Sequence, residues 1–168
     1  KAYDVRGIVG ESITAEIVEA VGAAFVDVLD LAGQTVLVGG DMRPSSPEFS
    51  RAFANGAATR GANVQLLDLI STDELYYACG ALNAAGATFT ASHNPAEYNG
   101  IKMAKAGAVP ISSETGLKEI QALAEEYLNA GTIPANGPRG LISVHDVLKD
   151  YSEYLRSLVD LSGSRPLK

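Results

Sequence analysis

The sequence is poor in several features, and each shortage excludes a class of protein. Tryptophan is absent and cysteine occurs once, as Cys79, among 168 residues, so the chain forms no internal disulfide and no multi-thiolate metal site. The longest apolar candidate, residues 13–32, is interrupted by four acidic residues, which excludes it as a membrane span. Basic residues number 13 against 20 acidic ones, for a net charge of −7. This balance argues against nucleic acid or an anionic membrane as the main partner.

The composition that remains predicts one globular domain. Hydrophobic residues make up 46% of the chain, which is enough for one core, and we expect a soluble cytoplasmic protein. The first residue is Lys1 rather than a methionine, and we expect both ends to have been cut from a longer chain. Cys79 lies in an apolar run, which predicts a buried and inert thiol.

The positive charge that the chain does have is locally concentrated. Between residues 75 and 111 the only acid is Glu97, whereas His93, Lys102 and Lys105 all fall there. We therefore expect a positive region within an acidic protein, which suits an anionic substrate. The alternative is a chance cluster of solvated lysines.

Strand-like and helix-like patterns alternate along the chain up to residue 90. Strands are predicted over 3–9, 35–38, 63–70 and 84–90. Helices are predicted between them. The first is capped by Thr14 and ends at Gly33, and the second is capped by Ser46, before Pro47, and ends at Gly61. The third is predicted over 73–83, with Ser71 or Thr72 as its cap. This alternation predicts an α/β fold with a mainly parallel sheet.

The next stretch is less regular. Residues 101–111 are predicted to be extended and broken at Gly107, adding a hairpin or an antiparallel edge. A helix is predicted over 114–128, where Ser112 or Ser113 is placed to cap it.

The C-terminal part predicts a domain boundary. We assign residues 1–130 to the α/β domain that contains the loops described below. Residues 131–145 include a run rich in glycine and proline and are predicted to be a linker. Residues 146–168 are predicted to form a helix that leads into a second domain, because its apolar side has little left in this chain to pack on.

The clearest chemical signal is a loop at the end of the fourth predicted strand. It consists of Thr90-Ala91-Ser92-His93-Asn94-Pro95 and is followed closely by Asn99-Gly100-Ile101-Lys102. A tight loop here brings a hydroxyl, an imidazole and an ammonium into one small region, and these are groups that phosphoryl transfer uses. On residue types alone, the alternative is an ordinary Ser/Asn/Pro turn without a function.

Three stretches of the sequence together resemble one known family. They are the loop just described, Tyr3-Asp4-Val5-Arg6-Gly7 near the start, and Gly40-Asp41-Met42-Arg43-Pro44-Ser45-Ser46 after the second strand. Their residues and their order resemble the α-D-phosphohexomutases. Nearly the whole chain resembles the first of that family's four domains. The resemblance implies a three-layer α/β/α fold in which helices flank a mainly parallel mixed sheet.

The resemblance also implies phosphoserine chemistry. Ser92 would carry a phosphoryl group, give it to a hexose monophosphate, and take back the other phosphate of the bisphosphate that forms. Lys102 is implied as the general base or charge-stabilising group, Arg6 as a second cation, and His93 as a group that bonds the phosphate or shapes the loop. Supporting roles are assigned to Asp41, Arg43, Asn94 and Asn99.

Cofactors and partners follow from the same resemblance. The family holds Mg²⁺ between the phosphate on its serine, here Ser92, and an Asp-x-Asp-x-Asp run that this sequence lacks, so most metal ligands would come from a missing domain. A hexose bisphosphate would be the activator. The expected partners are a hexose phosphate and the remaining domains of the enzyme, without which this chain should be inactive. The sugar, glucose, mannose or glucosamine, stays open, although the opening motif favours the first two. The alternative function is a non-catalytic α/β module that binds a phosphorylated ligand or a protein.

Overall fold

One sheet carries the predicted functional loops, and all but one of its strands run in the same direction. The structure, a computed structural model, describes residues 4–160 and 162–163. Within them the strands are β1 (Val5–Ile8), β2 (Thr35–Gly40), β3 (Asn63–Leu69), β4 (Ala85–Phe89), β5 (Tyr98–Lys105), β6 (Val109–Pro110) and β7 (Ile142–Val144). Their order is β1-β5-β4-β2-β3-β7, and β6 also pairs with β5.

The strand β5 is the exception to this common direction. It is antiparallel to β1, β4 and β6, whereas β2 is parallel to β3 and β4, and β3 is parallel to β7. The hairpin predicted over 101–111 is therefore present as β5 and β6. However, β5 begins earlier than predicted and lies inside the sheet, between β1 and β4, rather than at its edge.

Helices cover both faces of the sheet. They are α1 (Ala15–Val28), α2 (Ser46–Thr59), α3 (Thr72–Ala81), α4 (Leu117–Ala130) and α5 (Leu148–Ser157). On one face α1, α2 and α4 share a core with Ala85, Ala87 and Phe89 of β4. On the other face lies α3, since a Cβ on Gly86 would meet Cys79 Sγ at 3.0 Å. The alternation of side chains along β4 thus confirms the three-layer α/β/α fold.

The thiol of Cys79 is enclosed between α3 and the sheet. The residue is 0% exposed, and burial raises the pKa of its thiol to about 12. At neutral pH the thiol therefore stays protonated, and it behaves as the inert apolar group that the sequence predicts.

A direct backbone contact joins α1 to α2. A Cβ on Gly56 would lie 1.9 Å from the Glu19 carbonyl oxygen, and a Cβ on Gly22 would lie 2.3 Å from that of Phe53. Neither position has room for a methyl group. Beside this contact the rings of Phe25 and Phe53 pack with their centroids 5.4 Å apart. Each such fully buried ring stabilises the fold by about 1.5–3 kcal/mol.

Two predicted helix caps are present. Thr14 Oγ1 accepts a hydrogen bond from the Ile17 N–H at 3.3 Å. Ser71 begins α3 in a capping box, in which its hydroxyl accepts from the Glu74 N–H and the Glu74 carboxylate accepts from the Ser71 N–H. Burial raises the pKa of the Glu74 carboxyl, the hydrogen bond from Ser71 lowers it less, and the charge of Asp146 raises it further.

Three predicted helix boundaries are wrong. The helix α1 ends well before Gly33. The N-cap of α2 is Ser45 rather than Ser46, because the Ser46 hydroxyl donates to Asp41 Oδ1 instead. The helix α4 starts after a glycine N-cap, Gly116, and not at a serine, because the preceding serines lie in a separate turn.

The segment 131–145, predicted to be a linker, contributes a strand to the domain. Its strand β7 pairs with β3, with Val64 opposite Ile142. Just before β7, a Cβ on Gly140 would lie 1.8 Å from the Ala62 carbonyl oxygen. The segment therefore packs directly against the backbone that leads into β3. A three-residue strand is too short to show apolar alternation. The linker was therefore predicted from the glycines and prolines of the segment alone.

The predicted helix over 146–168 is present as α5, which spans less of the chain. Residue 161 and residues 164–168 of this prediction lie outside the described residues. The rings of Tyr151 and Tyr154 pack on Tyr77 of α3 at 5.4 and 5.1 Å, while Leu148 and Leu155 are exposed. No helix among the described residues is long and apolar enough to cross a membrane.

Candidate phosphoserine site

The site forms where β2 and β4 end side by side. These strands are parallel and in register, with Gly40 opposite Phe89, so the loops that follow them leave the same edge of the sheet. The Asp41 N–H donates to the Phe89 carbonyl at 2.8 Å. The two motifs at Gly40–Ser46 and Thr90–Pro95, distant in sequence, are therefore adjacent loops.

The side chain of Arg43 binds the backbone of the second of these loops. Its two terminal nitrogens donate to four carbonyl oxygens, those of Pro95 (2.8 Å), Tyr98 (2.9 Å), Ser92 (3.0 Å) and Asn94 (2.7 Å). Arg43 is a suitable residue here because its planar guanidinium presents several donors in a fixed geometry. Since only carbonyls are engaged, the side chains of Ser92 and His93 remain available at the surface.

Asp41 in turn positions Arg43. Its Oδ2 lies 3.3 Å from Arg43 Nε, and its Oδ1 accepts from the Arg43 N–H at 3.0 Å and from the Ser46 hydroxyl at 3.0 Å. The structure thus gives Asp41 and Arg43 contacts of the supporting kind that the sequence predicts. The sequence did not reveal that Ser46 belongs to this network.

Two asparagines make further links within and between the loops. The buried Asn99 donates from Nδ2 to the hydroxyls of Ser45 (2.8 Å) and Ser46 (3.2 Å), which ties β5 to the start of α2. Asn94 donates from Nδ2 to the Ala91 carbonyl at 2.6 Å, which closes the turn that contains Ser92. Both asparagines were predicted to support the site, and their contacts fit that role.

Ser92 itself is exposed on a constrained backbone. Its φ is +55°, in the left-handed region that costs a non-glycine residue about 1–2 kcal/mol. Its N–H donates to Thr90 Oγ1 at 3.0 Å, and its own Oγ lies 3.3 Å from Nδ1 of the exposed His93. The hydroxyl is therefore presented to solvent by a loop that is held at both ends, and His93 is close enough to share a proton or a phosphate with it.

The two predicted cations lie on the strands next to the loop. Arg6 in β1 is opposite Gly100 in β5, and its guanidinium pairs with the buried Asp4. Lys102 in β5 is opposite Thr88 in β4 and takes part in no ion pair among the described residues. The structure thus gathers Ser92, its asparagines and Arg43 into one network, and it places Arg6 and Lys102 beside that network without a hydrogen bond to it.

Asp4 and Thr90 contact two of the predicted site residues, Arg6 and Ser92, and were not among the residues predicted for the site. Asp4 sits two residues before Arg6, which places both on the same side of a strand, and this spacing was an available signal for the ion pair. Thr90 sits two residues before Ser92, the spacing at which a threonine hydroxyl commonly accepts from the backbone. The Ser46 contact with Asp41 spans only five residues, but the serine before Pro47 was assigned as a helix cap instead. The contact of Ser46 with Asn99 had no local signal, because it joins elements that are far apart in sequence.

A cavity of about 460 Å³ opens beside Ser92. It is bounded by the ends of β3 and β4, by the Asp41–Met42 turn and by the start of α3, and its lining includes Ser71, Thr72, Thr90 and Ser92. A ligand of sugar size therefore has space next to the Ser92 hydroxyl.

The described residues do not form a metal site by themselves. Nowhere in 4–160 or 162–163 do three or more His, Cys, Asp or Glu side chains group so as to hold a metal ion. The magnesium ion expected from the sequence would therefore need further ligands from outside these residues.

The fold and the site define a class of protein: an α/β/α domain that presents one serine from a rigidly held loop at the ends of parallel strands. Residues 1–130 match the family model described as "Phosphoglucomutase/phosphomannomutase, alpha/beta/alpha domain I". The chain belongs to this family, as the three sequence motifs predict.

Individual relatives agree with the family assignment. The chain is 41% identical over 170 residues to a phosphomannomutase of Escherichia coli, and the match covers 100% of the chain and 36% of that protein. It is 37% identical over 174 residues to a phosphomannomutase of Vibrio cholerae, again with 100% and 36% covered. The chain therefore spans only about a third of the length of these curated relatives.

Solved structures show the same relationship. A phosphoglucomutase/phosphomannomutase family protein from Burkholderia thailandensis superposes with a TM-score of 0.80 at 30% identity, covering 99% of this chain and 36% of that one. A structure titled "putative phosphomannomutase" from Thermus thermophilus superposes with a TM-score of 0.81 at 31% identity, covering 96% and 36%.

Proposed function

We propose that this chain is the phosphoserine domain of a phosphohexomutase, which interconverts hexose 1-phosphates and hexose 6-phosphates. The observation that carries the proposal is the Ser92 loop, whose backbone is held by four hydrogen bonds from Arg43 while its hydroxyl stays exposed. A phosphate carrier needs this combination, because the phosphoryl group must be presented in one place and still be reached by a sugar.

In the proposed reaction Ser92 carries the phosphoryl group between the two positions of the sugar. The bond from Ser92 Oγ to phosphorus breaks as a new bond forms from phosphorus to a hydroxyl of the hexose monophosphate. That hydroxyl loses its proton to a base, for which Lys102 is our candidate, and Ser92 Oγ gains a proton. The resulting bisphosphate then returns its other phosphate to Ser92, which restores the phosphoserine.

The charge that builds up on the transferring group needs cations around it. Near the Ser92 loop this chain offers Arg6 and, in their protonated forms, Lys102 and His93; Lys102 can act as the base only when its amine is neutral. A magnesium ion bound to the phosphate would supply further charge neutralisation, with its remaining ligands from other domains of the parent enzyme. We expect that enzyme to act in the cytoplasm. The names of the relatives favour mannose phosphate as a substrate, and glucose phosphate is the second candidate.

The experiment is to follow phosphate on Ser92 directly. The chain, joined to the missing domains, is incubated with a hexose 1,6-bisphosphate, and its intact mass and phosphopeptides are measured. We expect one phosphate, mapped to Ser92, and isomerisation of the matching hexose phosphate. Ser92→Ala should abolish both while the thermal melting temperature stays nearly unchanged, because an exposed loop hydroxyl contributes little to stability. An unmodified Ser92 in a folded, substrate-binding protein would refute the proposal.

Two lysines on β5 provide a matched comparison for the base. Lys102→Met and Lys105→Met each remove one charge and keep an apolar stem. If Lys102 acts as the base, its replacement should lower turnover by about 10²–10⁴, and that of Lys105 should do far less. Equal losses would show that only the general positive field matters, and would end the assignment of Lys102.

The exposed apolar residues of α5 support the second candidate, a non-catalytic module that binds a partner. The same phosphorylation experiment separates the two functions, since a module has no use for a phosphate on Ser92. By itself the chain should show no isomerase activity above a Ser92→Ala control, because the remaining substrate and metal contacts are not among its residues.

A further inference from the structure

Thr88 is the one buried hydroxyl in the described part of the chain that lacks a hydrogen-bond partner. It is 1% exposed. The other buried side-chain atoms without a partner are Nε of Arg6 and Nε of Arg43, and each of those guanidiniums already has a carboxylate beside it. An unpaired buried hydroxyl costs about 1–3 kcal/mol. The position of Thr88 next to the site therefore requires an explanation.

The register of the sheet identifies the candidate partner. Thr88 on β4 is directly opposite Lys102 on β5, and opposite residues in an antiparallel pair share one face of the sheet. That face is the one covered by α3, because Ala104, two residues after Lys102, belongs to the cluster that contains Leu75 and Cys79. The side chain of Lys102 therefore starts from the same face of the sheet as the Thr88 hydroxyl.

The ammonium of Lys102 is also without a charged partner. It joins none of the ion pairs among residues 4–160 and 162–163, although the side chain is half-buried. An ammonium donates hydrogen bonds and a hydroxyl oxygen accepts them. Two complementary groups, both without a partner among the described residues, thus project from opposite positions on the same face of neighbouring strands.

We propose that Thr88 is a positioning residue for Lys102, and that its hydroxyl accepts a hydrogen bond from the Lys102 ammonium when no phosphate occupies the site. This contact would hold the flexible side chain along β4, close to the loop of Ser92, and would release the ammonium when a phosphoryl group offers a stronger acceptor. The role in catalysis rests on the proposed function, but the contact itself is a property of this chain alone.

The test measures the ammonium group directly. The chain is labelled with ¹⁵N-lysine, and the exchange of each ammonium's protons with water is followed by NMR at low temperature. We expect the Lys102 protons to exchange about fivefold more slowly than those of Lys105, as one hydrogen bond predicts. Lys102→Arg identifies the signal by removing it, and Lys105 is the internal control on the same strand.

Two substitutions then isolate the hydroxyl. Thr88→Val keeps the branched shape and removes the oxygen, so Lys102 should exchange as fast as Lys105. Thr88→Ser keeps the oxygen, so the protection should remain. Equal protection in Thr88→Val would assign the slow exchange to another group, and fast exchange in the unaltered chain would leave Thr88 bound to a buried water; either result overturns the proposal. Neither result depends on whether Ser92 accepts a phosphate.

Discussion

The contact between α1 and α2 and the loop of Ser92 are both rigid, but for different reasons. At the first, two helix backbones touch, and a Cβ on Gly56 would lie 1.9 Å from a carbonyl oxygen. At the second, one side chain reaches across and holds four carbonyl oxygens. The first arrangement leaves no side chain free, whereas the second leaves Ser92 and His93 exposed. Close backbone packing is suited to a core, where no group has to be accessible. Hydrogen bonds from one polar side chain are suited to a site, because they hold a loop and leave its other side chains exposed.

The largest effect on stability should come from filling the helix contact. Gly56→Ala forces the backbones of α1 and α2 apart, and we expect it to lower the free energy of unfolding by about 3 kcal/mol. Gly80→Ala is the control, because the nearest atom to its Cβ would be 3.9 Å away, and in a helix it should stabilise by about 0.5–1 kcal/mol. Denaturant titration measures both. Similar results for the two variants would contradict the backbone contact.

The next effect should come from loosening the site loop. Arg43→Lys keeps the charge but loses the planar set of donors, and we expect it to cost about 2 kcal/mol. The amide protons of Asn94 and Tyr98, which donate within the loop, should exchange with solvent faster. Arg51→Lys, at an exposed position on α2, should change stability by less than about 0.5 kcal/mol. Unchanged amide exchange in Arg43→Lys would show that the hydrogen bonds from Arg43 do not hold the loop.

A smaller effect should show that the loop stores strain. Ser92 has a φ of +55°, so Ser92→Gly relieves the backbone while removing the hydroxyl. We expect it to stabilise by about 0.5 kcal/mol relative to Ser92→Ala, after the greater freedom of glycine in the unfolded chain is counted. Thermal melting of the two variants measures the difference. If Ser92→Gly were less stable than Ser92→Ala by about 0.5–1 kcal/mol, the entropy cost of glycine alone, the loop would adopt this φ without strain.

The smallest effect concerns pH and lies away from both regions. Because the pKa of Glu74 is raised in the folded protein, the folded state binds a proton more readily than the unfolded state. The stability that this carboxyl contributes is therefore complete below its ordinary pKa of 4.5 and is lost as the pH rises through the raised value. Glu74→Gln keeps the capping geometry and should remove this loss. If the stability of Glu74→Gln falls with rising pH as much as that of the wild type, the loss does not come from Glu74.

The sequence alone determined the order of elements up to β4 and the position of the candidate serine loop. Apolar alternation separates strands from helices because burial on one face imposes a period of two or 3.6 residues. Thr14 and Ser71 were recognisable as caps because capping is local. The serine loop was identifiable because its motif residues are consecutive or nearly so, and the family match over residues 1–130 agrees with it.

Only the tertiary structure decided how distant residues meet. It placed β5 inside the sheet, and it added β7 from a segment whose composition favours a linker, since a short edge strand is fixed by its partner rather than by its own sequence. It also directed Ser46 to Asp41 instead of to a helix cap, and it aligned Thr88 with Lys102. The strand pairings depend on strand order and register, and no local pattern in a single sequence contains that information.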